Sequence, residues 1–296
     1  MTKRAVRPSE EPFHVLPSYE RVLQALGRYE RLTAEQVRRL FLGEHSLTRA
    51  QHWLKVLHTH GYVTRTRVGR EAEHGSGPLV STLDRRGIDF LRSIGRADSR
   101  RLRQSEEEER ASAFLLHSSK VVDVLILCDL LCRDDGRFAI ERMIGERELR
   151  STAVTVTMPD GRSRGVAMDG WVDLRIYHTD GTIEQMCLGF EVDNGTEWQA
   201  AWRLKVQALL AMESGPYVEA FGVETLTIVV VAPTAERALQ FRLWTEAELA
   251  AQGAEDRGDL FRFGVMPPDL SDASAFFRAL CWQRAGETAS VPLIEE

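Results

Sequence analysis

Hydrophobic positions in the first hundred residues fall at helical spacing and then switch to a strand pattern. In YERVLQALGRY (19–29), Val22, Leu23, Leu26 and Tyr29 share one helix face. TAEQVRRLFL follows, opened by Thr33 with Gln36 three residues later, the spacing of a capping box. LTRAQHWLKVLHTHG (47–61) predicts a third helix, with Thr48 and Gln51 in the same relation and Gly61 as its stop. YVTRTRV (62–68) and LVSTL (79–83) are β-rich runs joined by the polar segment GREAEHGSGP (69–78), which reads as a hairpin with a long tip. DRRGIDFLRSIG adds a fourth helix. Three helices followed by a hairpin predict the winged-helix variant of helix-turn-helix over residues 18–95, preceded by a flexible arm (1–17) with three prolines.

The charge run SRRLRQSEEEERAS (99–112) predicts a solvated linker at 96–111 and the end of the first domain. A second module over 112–285 opens with the apolar helix FLLHSSKVVDVLILCDLLC (114–132). RFAIERMI (137–144) reads as a strand, TAVTVTM (152–158) as a peripheral one, and PDGRSRG as a turn. WVDLRIYH (171–178) and IEQMCLGFEV (183–192) are strands paired through the turn TDGT. A helix follows, with Thr196 and Gln199 as its expected cap. VETLTIVVVA (223–232) is apolar enough for a strand buried on both faces. A helix (234–251), a strand (260–265), a last helix (271–281) and a disordered-looking tail (286–296) complete the pattern. The fold class is α+β to α/β, with a central mixed sheet in the second domain.

Composition adds limits. The chain has 296 residues, 43% hydrophobic and 28% charged, as in an ordinary globular protein. No apolar run is long enough to span a membrane, and the charged N-terminus has no apolar stretch behind it, so neither a membrane anchor nor a secretory signal is expected. Cys128, Cys132, Cys187 and Cys281 form no CxxC pair and read as core thiols in a reducing cytoplasm. The net charge of −6 is unevenly spread. Residues 1–104 carry 20 Lys and Arg against 11 Asp and Glu, and the remainder carries 18 against 33. A basic front module suits an anionic partner such as double-stranded DNA.

That charge gives the front module its candidate contacts. With Trp53, Leu54 and Leu57 turned inward, Arg49, Gln51, His52 and Lys55 face outward on the third helix, where a recognition helix reads the major groove. Arg65, Arg67 and Arg70 line the wing, within reach of phosphates. A protein-interaction winged helix with solvated polar faces is the alternative. The histidines His52, His58, His60 and His74 read as surface residues, not metal ligands.

The second module concentrates its chemistry in GFEVDNGTEWQAAWRLKVQALL (189–210). An apolar strand ends in Glu191 and Asp193, the chain turns, and a helix carries Lys205, the only lysine in residues 121–296. Trp198, Trp202 and Lys205 are spaced i, i+4, i+7 and share a helix face. Two readings fit this corner: a metal-dependent nuclease site, or acids and a lysine that coincide on a stable strand-to-helix turn. For Trp171, Trp198 and Trp202 core packing is the default reading, with base stacking as the alternative.

The order helix, strand, strand, strand, helix, strand, with acids at two places, resembles the PD-(D/E)XK restriction-endonuclease-like fold. The resemblance implies Asp169, in MDGWVDL, as the first acid and Glu191 as the second. It also implies a site in which carboxylates and a backbone carbonyl hold Mg²⁺, or Mn²⁺, beside a lysine. Asp193 stands where that fold has its lysine, so Lys205 on the following helix takes the cation's place, and Met168 replaces a proline. Asp173, on the strand face of Asp169, is a reserve ligand, and Glu197 a weaker one.

The whole arrangement resembles the replication-relaxation family of plasmid-associated proteins over roughly residues 18–232. It is carried by the winged helix, the helix opening near His117 with VVDVL, MDGW (168–171), EVDNGTE (191–197) and the downstream Lys205. The resemblance implies action on plasmid or mobile-element DNA in replication or mobilisation. The expected site has Asp169, Glu191 and Asp193 as metal ligands, with Asp193 the third ligand or a water positioner, and Lys205 as the cation of the transition state. The alternative is a non-catalytic replication or transcription regulator that keeps the fold as a scaffold. No GxxxxGK[ST] occurs, so no nucleotide cofactor is expected, and no histidine pair with a following tyrosine points to a covalent relaxase. Winged-helix proteins often dimerise, which adds a homodimer to the expected partners.

Overall fold

The computed structural model describes residues 13–43, 46–68, 77–96 and 112–294, and falls into two compact units, Met1–Val122 and Asp123–Glu296. In the first unit the chain forms α1 (Pro17–Tyr29), β1 (Arg31–Thr33), α2 (Ala34–Phe41), α3 (Leu47–Thr59), β2 (Val63–Arg67), β3 (Leu79–Leu83) and α4 (Arg85–Ser93). Three helices, a hairpin and a closing helix are the winged-helix order. The sheet has a strand that the hydrophobic pattern does not announce. β1, three residues between two helices, pairs antiparallel with β3, giving the order β1-β3-β2.

Local chemistry explains these boundaries. Thr33 and Gln36 form both halves of the capping box: Gln36 N–H donates to Thr33 Oγ1 (3.2 Å) and Thr33 N–H to Gln36 Oε1 (2.8 Å). The same spacing at Thr48 and Gln51 caps nothing. α3 begins one residue earlier than Thr48, with Ser46 as N-cap and no side-chain bond. Gly61, at φ +72°, ends α3 in the left-handed region that glycine enters without strain, while Tyr62 N–H bonds Leu57 O at 2.9 Å. Phe13, placed in the flexible arm by its sequence, stacks on His60 with ring centroids 4.0 Å apart. Residues 1–12 of that arm, the wing tip with Arg70 and His74, and most of the charged linker lie outside the described residues. Leu115, expected in the second domain, packs with Val68 and Val80.

α5 (Ser112–Asp134) leads to β4 (Phe138–Ile144), α6 (Glu146–Ser151), β5 (Val154–Thr157), β6 (Ser163–Val166), β7 (Gly170–Tyr177) and β8 (Ile183–Val192). Then come α7 (Gln199–Glu213), α8 (Pro216–Phe221), β9 (Thr227–Ala232), α9 (Ala235–Gln252), a 3-10 turn (Glu255–Leu260), β10 (Phe261–Val265), α10 (Ala273–Phe277), β11 (Trp282–Arg284) and β12 (Ser290–Val291). Among the described residues one seven-stranded sheet has the order β12-β11-β10-β9-β8-β7-β4. It is mixed: β8, β9 and β10 run parallel, and the strands flanking them pair antiparallel. The hairpin β5-β6 is separate, which fits the peripheral strand read from TAVTVTM.

The period of two along β7 and β8 sorts their side chains by face. Trp171 and Cys187 share a core with Trp202, Val206 and Leu209 of α7 and Ala238, Phe241 and Leu249 of α9. Burying a valine, leucine or phenylalanine side chain of this core contributes about 1.5–3 kcal/mol. Asp169 and Glu191 continue the same rows towards the strand ends. The tail is not loose. Leu293 and Ile294 are buried, and both their N–H groups donate to Phe277 O at 2.9 Å. The last helix is correspondingly shorter than 271–281, because the chain leaves it to form β11 and β12.

Candidate functional site

The candidate corner is assembled where β7 begins and β8 ends. β8 runs past the first residue of β7, so the N–H of Val192 has no antiparallel strand partner there. Asp169 supplies one: its Oδ2 accepts from Val192 N–H at 3.0 Å, and its own N–H donates to Phe190 O at 2.9 Å. Its carboxylate is therefore fixed to the strand that carries Glu191. Room for this comes from Gly189, where a Cβ would meet Met168 Sδ at 2.2 Å. Met168 lies over that bare backbone and seats Asp169 behind it.

Glu191 is buried, and Lys205 Nζ of α7 donates to its Oε2. The lysine side chain stays 27% exposed, so the ion pair opens towards solvent. Burial by itself would lower the Lys205 ammonium, but the charges of Glu191 and Asp169, the Glu191 hydrogen bond and the charge of Glu197 outweigh it and raise it above its ordinary value. Asp169, Glu191 and Lys205 thus form one electrostatic group.

Asp193 is turned elsewhere. Its Oδ2 accepts from Arg237 Nε of α9 at 2.8 Å and its Oδ1 accepts from Glu197 N–H at 3.4 Å, while Arg237 also donates to Glu197 O. This clamp fixes 193–197 as a side-chain-held turn. It also delays the helix: Trp198 is the N-cap of α7, without a side-chain bond, and the expected Thr196–Gln199 cap is absent. Asp193, expected as the third ligand or a water positioner, thus has both oxygens engaged in holding the turn. Asp173, the reserve ligand, accepts from Gln185 at 2.9 Å and lies 3.6 Å from the Arg175 guanidinium. The tryptophan stripe also divides: Trp202 is buried with its indole N–H on Thr245 Oγ1 (2.9 Å), and Trp198 is exposed.

Sequence reading missed three residues here. Glu146, the first residue of α6, is buried and has a carboxylate oxygen within 4.8 Å of one of Asp169. Arg150, one turn later, lies 2.8 Å from Glu146 Oε1 and 3.9 Å from Asp169 Oδ1. Arg237 is the third. ERELRS is too short to show a helical period, and 44 residues separate Arg237 from Asp193; the one available signal was acidic residues directly after a strand. The carboxylates of Asp169, Glu191 and Glu146 offer hard oxygen donors of the kind that suits Mg²⁺ or Mn²⁺.

In the first unit, Arg49, Gln51, His52 and Lys55 are all exposed along α3, while Ala50, Leu54 and Leu57 are buried and Trp53 is half-buried. Arg67 is exposed on β2, its guanidinium 3.3 Å from Gly77 O. Arg65 is half-buried, and burial followed by the charge of Arg67 lowers its guanidinium below the ordinary value. The described part of the wing therefore presents Arg67 more fully than Arg65. No described helix is long and apolar enough to cross a membrane.

A family model described as replication-relaxation matches residues 23–214, from α1 through the end of α7. No curated protein and no solved structure matches the chain.

Proposed function

The chain belongs to the replication-relaxation family, and from that premise we propose that it is a DNA-binding protein of plasmid or mobile-element replication or mobilisation that nicks DNA with Mg²⁺. The observation that carries the reading is the corner itself. Asp169 is locked to the end of β8, Glu191 lies beside it, and Lys205, the sole lysine after residue 120, reaches Glu191 from α7. The β8–α7 turn itself is held by Arg237 and Asp193, not by Glu191 or Lys205. Asp169, Glu191 and Lys205 each cost desolvation that an apolar side chain would avoid.

Asp169 and Glu191 would hold the metal ion, with Glu146 as the nearest further carboxylate. The ion, when bound, polarises the scissile phosphate and lowers the pKa of a water molecule. The residues of the chain do the rest. Asp169 and Glu191 are oriented by the β7–β8 ladder and so need little reorganisation. The charged Lys205 ammonium stabilises the negative charge that develops on the phosphate oxygens. Arg237 holds Asp193 and Glu197, and through them the start of α7 and the direction from which Lys205 approaches. Arg49, Gln51, His52 and Lys55 of α3 meet base edges in a duplex, and Arg67 meets phosphate.

The test is calorimetric titration of Mn²⁺ into the wild type, Asp169→Asn and Glu191→Gln, alongside cleavage of plasmid DNA by the same proteins. Saturable binding lost in both variants together with cleavage supports the assignment. Cleavage that survives both substitutions overturns it. One observation favours a second reading. Lys205 already compensates the Glu191 charge, as it would in a purely structural ion pair. Salt-sensitive DNA binding with no cleavage in any metal would make the chain a regulator on an inactive scaffold.

A further inference from the structure

All six tryptophans are described, and their environments differ sharply. Trp171, Trp202 and Trp282 are at most 2% exposed, and Trp53 and Trp244 are half-buried. Trp198 is 79% exposed, more than any other large hydrophobic side chain described. An isolated surface leucine needs no explanation, whereas a nearly bare indole is uncommon. Its setting is also unusual. The turn before it is held by the Arg237 clamp on Asp193 and Glu197 O, and Trp198 O accepts from Trp202 N–H at 2.9 Å to start α7. The backbone that presents the indole is thus fixed from both sides while the ring lies in solvent.

The ring also stands at the entry to the helix of the candidate site. Trp198 is the N-cap of α7 and precedes Lys205 by seven residues, about 10 Å along the helix axis at about 1.5 Å per residue. That is the rise of about three stacked nucleotides. The ring's neighbours in sequence, Glu197 and the turn holding Asp193, are acidic, so a phosphate is a poor occupant. The face of a base, neutral and polarisable, is a good one. In an intact duplex those faces are covered by neighbouring base pairs.

We infer that Trp198 is a stacking platform for an unpaired base close to the scissile phosphate, and that the corner at Asp169, Glu191 and Lys205 therefore takes single-stranded or locally melted DNA. This rests on the nicking reading for where the strand lies. It assigns the two modules different forms of one substrate, duplex for α3 and unpaired strand for the corner.

The experiment uses the full-length protein in EDTA, so that no cleavage is required. Binding of a labelled single-stranded oligothymidylate and of a blunt duplex is followed by fluorescence anisotropy for the wild type, Trp198→Ala and Trp198→Phe. Loss of one base–aromatic stack weakens single-strand binding about tenfold or more in Trp198→Ala. Trp198→Phe, which keeps a π face, retains most of the affinity. Duplex binding and the melting temperature stay at the wild-type level, because the indole makes no core contact. Equal single-strand affinity for wild type and Trp198→Ala overturns the inference, as does an equal loss on both substrates. A selective single-strand defect in a protein that never nicks plasmid would sustain the contact and sink the nuclease reading. Nicking by a protein indifferent to Trp198→Ala would do the reverse.

Discussion

The ion pair between Lys205 and Glu191 sets the behaviour of the corner at the scale of single residues. In the metal-free protein the surrounding carboxylates outweigh the burial of Lys205 and raise its ammonium above the ordinary value of 10.5. Its stabilising contribution is therefore complete below the unfolded value of 10.5 and is lost as pH rises through the still higher folded value. Chemical denaturation in EDTA from neutral pH to pH 9 is expected to show no loss of stability from this lysine; a loss that disappears in Lys205→Arg would contradict that. Lys205→Met is expected to lower the nicking rate by about 10²–10³, the loss that follows removal of one preorganised charge-stabilising group. Its stability should fall by only about 2 kcal/mol in chemical denaturation, since the lysine end of the pair is partly exposed. Asp169 and Glu191 could be named from sequence because they sit where β7 begins and β8 ends, and Lys205 because it is the only lysine in residues 121–296. Arg237 and Glu146 could not, since what gives them a role is contact across the fold, and no periodicity encodes a partner 44 residues away.

Among elements, α7 and α9 form the support on which Lys205 is aimed. Glu248 of α9 is buried and accepts from Arg203 (2.6 Å) and Gln207 (2.7 Å) of α7 and from Gln252 (2.9 Å). Burial alone would raise its carboxyl, but the bonds from Gln207, Arg203 and Gln252 prevail and hold it below the ordinary 4.5. A depressed carboxylate stabilises above its unfolded value and loses that contribution as pH falls through the folded one. Thermal melts below pH 4.5 should therefore fall more steeply for the wild type than for Glu248→Gln, whose baseline is already lower. Parallel slopes would remove Glu248 from the acid response. On β8, Gly189→Ala forces a Cβ against Met168 and Ile228. A cost of about 1–3 kcal/mol is expected, with reduced nicking as Asp169 is displaced, both measurable on the same purified protein. Main strands and helices of this unit were readable from their periods. β1, β11 and β12 span two or three residues each, shorter than any period can reveal, and the cap of α7 was misplaced because the Arg237 clamp overrides a local Thr–Gln spacing.

For the whole molecule, the uneven charge gives two modules with different electrostatic tasks. On the proposed function, the basic first 104 residues would supply attraction to DNA, and the acidic remainder would approach a phosphate backbone only where its charge is compensated by Lys205, Arg150, Arg237 or metal. Arg49→Ala and Lys55→Ala should weaken duplex binding, and where either contacts phosphate it should reduce the slope of log affinity against log salt by about one. Unchanged affinity and slope would move the duplex contact off α3. The most direct measurement on the corner uses supercoiled plasmid with Mg²⁺, Mn²⁺ or EDTA, scored for open-circle and linear product, with Glu191→Ala and Lys205→Ala beside the wild type. The expected result is open-circle product that requires metal and is lost in both variants. Intact supercoiled DNA in every lane, on plasmids carrying the protein's own origin as well, or product that persists in Glu191→Ala, would contradict a catalytic corner.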